Sequence, residues 1–323
     1  MSITLSMIVK NEQKVIMRCL ESVVNYIDFF VIMDTGSSDD TPNIIANFFK
    51  DRGVKGVLIQ GEFKNFSYAR NKCLQLAYKI SPSKYILLID SDMILKVGDF
   101  SFHHITEDGY YITQQDNKLS YKNLRLIKND KSWYYDGYTH EVLLSSKEHK
   151  KSTLPHDKIY IMDMSDGGSK SDKIERDIRL LHLEINEKPT HSRGYFYLAN
   201  TYFGKGDHTS AEKYYRLRIE MGGWIEEVWY CYYRLGLIRL VRGNIPEAIY
   251  FLFTAIETHP LRLETYFHLL YIFRQQKMDI MFDIFREKAI NARKCGKEEI
   301  QHFLFYEYQI CEIEFPKLIY EKK

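Results

Sequence analysis

The sequence predicts an α/β domain over residues 1–170 followed by an all-α helical-repeat domain over residues 171–323. Three observations carry that division. Short apolar runs rich in β-formers alternate with amphipathic helical stretches through the first half, the pattern of a mixed, mainly parallel sheet flanked by helices. From about Asp172 the pattern changes to long helical periodicity with repeated aromatic positions and few β signals. Within that second half, Tyr195-Phe196-Tyr197-Leu198-Ala199 through Gly206-Asp207 to Ala211 overlays Tyr232-Tyr233-Arg234-Leu235-Gly236 through Gly243-Asn244 to Ala248.

Taken in order, Ile3 to Val9 reads as a first strand and Gln13 to Val24 as a helix, with Asn11 as its cap. Phe29 to Met33 reads as a second strand, buried on both faces, ending in Asp34-Thr35-Gly36-Ser37-Ser38-Asp39-Asp40-Thr41-Pro42. A carboxylate at a strand end, a Gly and several hydroxyls suit a ribose and a base; the same residues are also ordinary strand-to-helix turn chemistry, with Thr41 as cap and Pro42 in the first turn. A second helix follows on Ile44, Ile45, Phe48 and Phe49, then a strand over Val57 to Gln60 and a helix over Ser67 to Lys79. Arg70, near the start of that helix, suits a phosphate contact or, as readily, a solvated surface position.

The stretch around which the first half is organised is Lys84 to Met93. Its apolar run, Tyr85 to Ile89, is a buried strand that delivers Asp90-Ser91-Asp92 to the edge of the sheet where open α/β sheets place their ligands. Two carboxylates two residues apart on a strand point the same way and can share a divalent cation; an acidic turn is the plainer alternative. Further β-type runs at Gly109 to Thr113 and Asn123 to Ile127 imply that the sheet ends with antiparallel additions. In Trp133-Tyr134-Tyr135-Asp136-Gly137-Tyr138-Thr139-His140-Glu141, an imidazole and a carboxylate stand side by side, the first suited to metal ligation and the second to proton transfer. Adjacent strand residues face opposite ways, so Glu141 needs a turn or bulge to share a pocket with His140.

The overlay in the second half has a shift of about 37 residues, near the tetratricopeptide period of about 34. A weaker third copy runs from Thr265 to Ala289, with Lys277 in place of the turn Gly. Stacked helical hairpins bury their faces only against neighbours and present a concave groove suited to a peptide or a second copy of the chain, so a homodimer through the repeats is one expectation. A plain helical appendage that stabilises the first domain is the other.

Composition narrows the function classes. With 45 basic and 43 acidic residues the chain has no nucleic-acid signature. Its apolar runs are too short to span a bilayer, and Lys10-Asn11-Glu12 interrupts the first one before a signal peptide could form. Five widely separated cysteines without a CxxC pair point to reduced thiols and a cytoplasmic setting.

Several of these motifs together resemble the family 2 glycosyltransferases that carry tetratricopeptide-like repeats after the catalytic domain, a layout similar to that of sublancin-type peptide glycosyltransferases. The resemblance rests on Ser6 to Glu12, Asp34-Thr35-Gly36-Ser37, Tyr68-Ala69-Arg70-Asn71, Asp90-Ser91-Asp92, Trp133 with His140-Glu141, Arg176-Asp177 and Gly222-Gly223-Trp224. It implies a GT-A fold, a nucleoside-diphosphate sugar donor, UDP-linked in expectation, and a cation, Mn2+ or Mg2+. It also implies inversion at the anomeric carbon and a peptide, protein or glycan acceptor. Carried over residue by residue, Asp34 contacts base or ribose, Asn11 and Glu12 line the nucleotide pocket, and Arg70 faces the diphosphate. Asp90 meets ribose or cation, Asp92 and His140 ligate the metal, and Glu141 is the general base with Asp136 as the alternative. Where relatives carry a His at the end of the last strand, this chain has Asp163. A catalytically inactive scaffold whose repeats bind a protein partner is the competing function; the presence of Asp90, Asp92, His140 and Glu141 together weighs against it. A nucleotidyltransferase is disfavoured for want of a Gly-rich phosphate loop with its lysine.

Overall fold

The computed structural model describes residues 2–116, 120–168, 172–296, 307 and 309–320. It divides into two compact units, residues 1–180 and 181–323, each described by itself.

The first unit holds strands β1 (Ile3–Val9), β2 (Phe29–Asp34), β3 (Lys55–Gln60), β4 (Tyr85–Leu88), β5 (Met93–Val97), β6 (Gly109–Gln115), β7 (Ser120–Lys128), β8 (Trp133–Asp136), β9 (Val142–Ser145), β10 (Lys151–Thr153) and β11 (Ile159–Asp163). Helices α1 (Ile16–Val23), α2 (Thr41–Asp51) and α3 (Phe66–Ile80) lie between the early strands. Among the described residues the main sheet runs β3-β2-β1-β4-β7-β6-β11-β5, with β10 also on β6, while β8 and β9 form a separate hairpin. The first four strands are parallel, β7 is antiparallel to β4 and β6, β11 is parallel to β6, and β5 closes the far edge antiparallel to β11. The sheet is therefore mixed, and parallel over β3, β2, β1 and β4.

Alternation along the parallel strands divides the core. Leu5, Met7, Phe30 and Ile32 pack with Ile16, Cys19, Leu20, Ile45 and Phe48 of α1 and α2. Val31, Met33, Ile86 and Leu88 pack on the other face with Ala69, Cys73, Leu74 and Ala77 of α3. A strand clad on both sides has no polar alternation to show, which is why β2 and β4 read as unbroken apolar runs.

Helix starts differ from expectation. Val15 precedes α1 without a side-chain cap, because Asn11 gives its side-chain oxygen to the Ser38 amide, 2.8 Å away. Thr41 is the first residue of α2, not its cap, and its hydroxyl lies between Asp39 and the Glu12 amide. Helix α3 starts one residue earlier than Ser67, at Phe66, with Asn65 capping the Tyr68 amide at 2.7 Å.

The second unit is helical. After α4 (Lys173–Glu187), within which the division falls, come α5 (Ser192–Lys205), α6 (His208–Glu220), α7 (Ile225–Val241), α8 (Ile245–Thr258), α9 (Leu263–Gln275), α10 (Asp279–Cys295) and α11 (Phe315–Tyr320). The hairpins α5–α6, α7–α8 and α9–α10 are the three copies read from the sequence. In the first two, a left-handed Gly ends the first helix, Gly206 at φ 85° and Gly243 at φ 73°, and the next residue caps the second helix, Asp207 on Ser210 and Asn244 on Glu247. In the third copy Met278 provides no cap and Lys277 adopts φ 53°, a conformation that costs an L-residue with a Cβ about 1 kcal/mol. Lys277→Gly is therefore expected to stabilise the protein by up to about 1 kcal/mol, raising the melting temperature measured by circular dichroism.

Candidate functional site

Three strand ends of the parallel half supply the site. Beyond β1, Asn11 turns the chain at φ 56° and its amide donates to the Ser37 hydroxyl at 2.9 Å. Beyond β2, Asp34, only 1% exposed, accepts from both the Ser37 amide (3.1 Å) and the Ser37 hydroxyl (2.5 Å). The Glu12 amide donates to the Thr41 hydroxyl at 2.7 Å. The two loops are thus cross-linked into one platform before any ligand arrives, which is the preorganisation a nucleoside pocket needs. Asp34, Asn11 and Glu12 are brought together, with Asp34 serving as the internal brace of its loop.

Beyond β4 the chain leaves extended geometry: the Met93 amide closes a turn on the Asp90 carbonyl at 3.1 Å. The strand rule that aims residues two apart in one direction therefore does not hold, and Asp90 and Asp92 meet different surroundings. Asp90 lies between two guanidiniums, with Arg70 Nη2 at 2.7 Å from Oδ1 and Arg125 Nη1 at 3.2 Å from Oδ2. Burial works against its charge, but the fields of Arg70 and Arg125 outweigh that and hold the carboxyl down to about 2. Arg70 faces carboxylates on two sides, since its Nε donates to Glu141 Oε1 at 2.5 Å. Its ring neighbour is Tyr135, whose hydroxyl is pushed up to about 12 by burial. The next helical residue, Asn71, ties α3 to β8 through a reciprocal pair with the Tyr135 backbone, 2.7 and 2.8 Å.

Asp92 has different partners. Its Oδ2 accepts from the Gly167 amide at 3.4 Å, and Glu12 Oε2 accepts from the Gly168 amide at 3.1 Å. A methyl group placed on Gly167 would sit 3.1 Å from a Glu12 oxygen and 3.2 Å from Asp92 Oδ2, so both carboxylates surround one point. Burial raises the Glu12 pKa, against the Gly168 amide and with the help of the Asp92 charge. Burial likewise raises Asp92, with Asp90 and Asp163 adding to the effect. Two desolvated carboxylates that repel each other are hard oxygen donors of the kind that suit Mg2+ or Mn2+, so the donor chemistry here fits such an ion. The segment that covers them is pinned by the Arg18–Asp166 ion pair, and Gly168 lies so close that a Cβ would stand 1.9 Å from the Asn11 carbonyl oxygen.

The Asp136 to Val142 connection is a turn between β8 and β9, with Gly137 at φ 103° and His140 at φ 54°. That turn brings Glu141 to Arg70 and leaves His140 exposed. Among the described residues no three His, Cys, Asp or Glu side chains are grouped to hold a metal, so Asp90, Asp92 and His140 do not assemble as the expected ligand trio. The physical reason is the pairing just described: both oxygens of Asp90 are engaged by arginines. Asp136 ends β8 opposite Val142.

Sequence reasoning missed Arg125 and Gln114. Arg125 is 8% exposed inside the apolar run Leu124 to Ile127, and Gln114 is 2% exposed on β6. The signal was present in kind, because an arginine within a buried strand must be paired.

Comparison with known proteins now bears on these residues. Residues 4–152 match the family model described as Glycosyl transferase family 2. The N-terminal domain is a family 2 glycosyltransferase domain. Over 92 residues, 28% of this chain and 20% of the relative, the sequence is 40% identical to the SPbeta prophage-derived glycosyltransferase SunS of Bacillus subtilis. It is 36% identical over 90 residues, again 28% of this chain and 20% of the relative, to a TPR repeat-containing protein of Synechococcus elongatus. The matches thus span about a fifth of the length of these curated relatives. Among solved structures, S. aureus TarS residues 1–349 in complex with UDP-GlcNAc aligns with 77% of this chain and 89% of that one at 15% identity, TM-score 0.41. No helix among the described residues of the glycosyltransferase domain or of the helical unit is long and apolar enough to cross a membrane.

Because the folded pKa of Asp90 lies below its ordinary value of 3.8, its ion pairs stabilise the glycosyltransferase domain above about pH 4, and that contribution disappears as pH falls toward 2. Its size is roughly 2 kcal/mol. Urea unfolding in EDTA should therefore show Asp90→Asn destabilised relative to the native sequence at pH 7, with the gap narrowing steadily below pH 4; a gap independent of pH contradicts the pairing.

Proposed function

We propose that this chain is a metal-dependent inverting glycosyltransferase that moves a hexose from a nucleoside-diphosphate sugar, UDP-linked, to a peptide, protein or glycan acceptor. The observation that carries the reading is the convergence of the β1, β2 and β4 ends on one rim, with a braced loop platform on one side and two unequal carboxylate environments on the other. The family match of residues 4–152 supports the transfer chemistry.

Asn11 and Asp34 shape the pocket for ribose and base. Asp92 is the cation ligand, with Glu12 the carboxylate that converges with it beside Gly167. A cation held by Asp92 would supply positive charge to offset that building on the diphosphate as the glycosidic bond breaks. Arg70, held between Asp90 and Glu141, is the guanidinium that the family resemblance assigns to the diphosphate. Glu141 is the general base: its Oε1 accepts from Arg70, so Oε2 takes the acceptor proton. Asp136 is the alternative base. Attack from the face opposite the leaving group inverts the anomeric centre in a single displacement.

Asp92→Ala removes one of two mutually repelling carboxylates, so the fold should be retained while cation-dependent hydrolysis of the nucleotide sugar falls on the order of 100-fold or more. A panel of nucleotide sugars, assayed with Mn2+ and with EDTA, checks this; wild-type rates in Asp92→Ala refute its role. Calorimetric titration with UDP should likewise show binding that strengthens with Mn2+, and absence of binding under both conditions favours a non-catalytic scaffold.

A further inference from the structure

One line of polar side chains, buried at Gln114 and Arg125 in its middle, crosses the sheet and ends on the proposed base. Gln114 donates through Nε2 to Asp163 Oδ2 at 2.9 Å and to the Tyr121 hydroxyl at 2.7 Å. Its Oε1 accepts from Arg125 at 2.8 and 3.3 Å. Arg125 in turn donates to Asp90 Oδ2, whose other oxygen is held by Arg70, and Arg70 donates to Glu141. The polarity of the line is fixed at both ends. A guanidinium only donates and an ionised carboxylate only accepts, so the Gln114 amide has one orientation compatible with both neighbours.

Backbone geometry sets the position of Arg125. The β6–β7 ladder pairs Tyr110 with Leu126 and Tyr111 with Leu124, so its register shifts at Arg125, the extra residue of a bulge. A bulge re-aims a side chain that regular alternation would send elsewhere. Here it delivers a charged group, inside a run whose neighbours Leu124, Leu126 and Ile127 are all buried, to the carboxylate at the end of β4.

We propose that Arg125, anchored by Gln114 and through it by Asp163, is a positioning residue that sets the Asp90–Arg70–Glu141 array. Asp163 is the distal anchor of this line. The inference deepens the glycosyltransferase reading and rests on it for its kinetic consequence alone; the geometric consequence stands without it.

The test compares the native chain with Arg125→Met, which keeps length without charge, and Arg125→Lys, which restores a donor. Two readouts are taken: kcat and KM for Mn2+-dependent nucleotide-sugar hydrolysis, and amide hydrogen exchange over residues 138–145, which contain Glu141. Arg125→Met should lower kcat at least tenfold with KM changed less than twofold. Exchange should accelerate over residues 138–145 and stay unchanged over β2 and β3, and Arg125→Lys should recover part of both effects. Native kcat and native exchange over 138–145 in Arg125→Met overturn the proposal. A rise in exchange spread evenly over the sheet also overturns it, since that marks a merely structural residue. If the native chain hydrolyses no nucleotide sugar, the glycosyltransferase reading fails, and the exchange result still decides the line. Should Arg125→Met not fold, Gln114→Leu cuts the line one step further out and is judged by the same two readouts.

Discussion

The double ion pair at Asp90 is the interaction on which the site depends. A carboxylate at the end of a central strand, largely withdrawn from water, bears a desolvation cost that a single cation would only partly offset. Here two guanidiniums from different elements meet its two oxygens, one from α3 and one from the β7 bulge. Each arginine thereby fixes the other's carboxylate partner, and Arg70 extends the array to Glu141. Removing Arg70 would leave Asp90 with Arg125 alone and take the guanidinium from Glu141, so the pairs are coupled and not independent.

Neutralising Asp90 has a consequence for Asp92. With Asp90 committed to arginines, Asp92 and Glu12 at this rim are met by the Gly167 and Gly168 amides and, for Glu12, by the Ser91 side chain, with no guanidinium hydrogen-bonded to either among the described residues. Burial raises the pKa of each, and neighbouring carboxylate charges add to the effect. Glycine is required at 168, where a side chain would strike the Asn11 carbonyl, and a side chain at 167 would press between the two carboxylates. The contrast is between a carboxylate held by two guanidiniums and one, two residues along, held by a backbone amide.

Much of this was legible in the sequence, and the gaps have identifiable causes. Strand ends bearing Asp34 and Asp90, the helix carrying Arg70 and the change to helical repeats near Asp172 follow from periodicity and from carboxylates placed where apolar runs stop. The different fates of Asp90 and Asp92 did not follow, because the strand ends at Leu88 and a turn replaces the alternation that would have paired them. Asn11 was misread as a helix cap because capping and loop bracing use the same side-chain oxygen, and only the fold says which amide it meets. Arg125 stayed hidden because a bulge is a property of two paired strands, invisible in either one alone.

The helical unit applies the same physical device to a different end. Glu226 and Glu227, at the start of α7, reach in opposite directions: Glu226 to Arg262 before α9, and Glu227 to Arg218 at the end of α6 and to Arg193 of α5. Arg262 is wholly buried, lies 3.7 Å over the Trp229 ring and also pairs with Glu264, itself wholly buried. Apolar stacking between hairpins is tolerant of small slips, whereas a buried carboxylate shifted by one helical step loses its guanidinium at a cost of about 3–5 kcal/mol. These pairs therefore fix the register between successive hairpins where hydrophobic contact alone would not. That explains why the third copy can lose both its turn glycine and its cap and still stack, since its alignment is set by Arg262 at its start and not by the turn at Lys277.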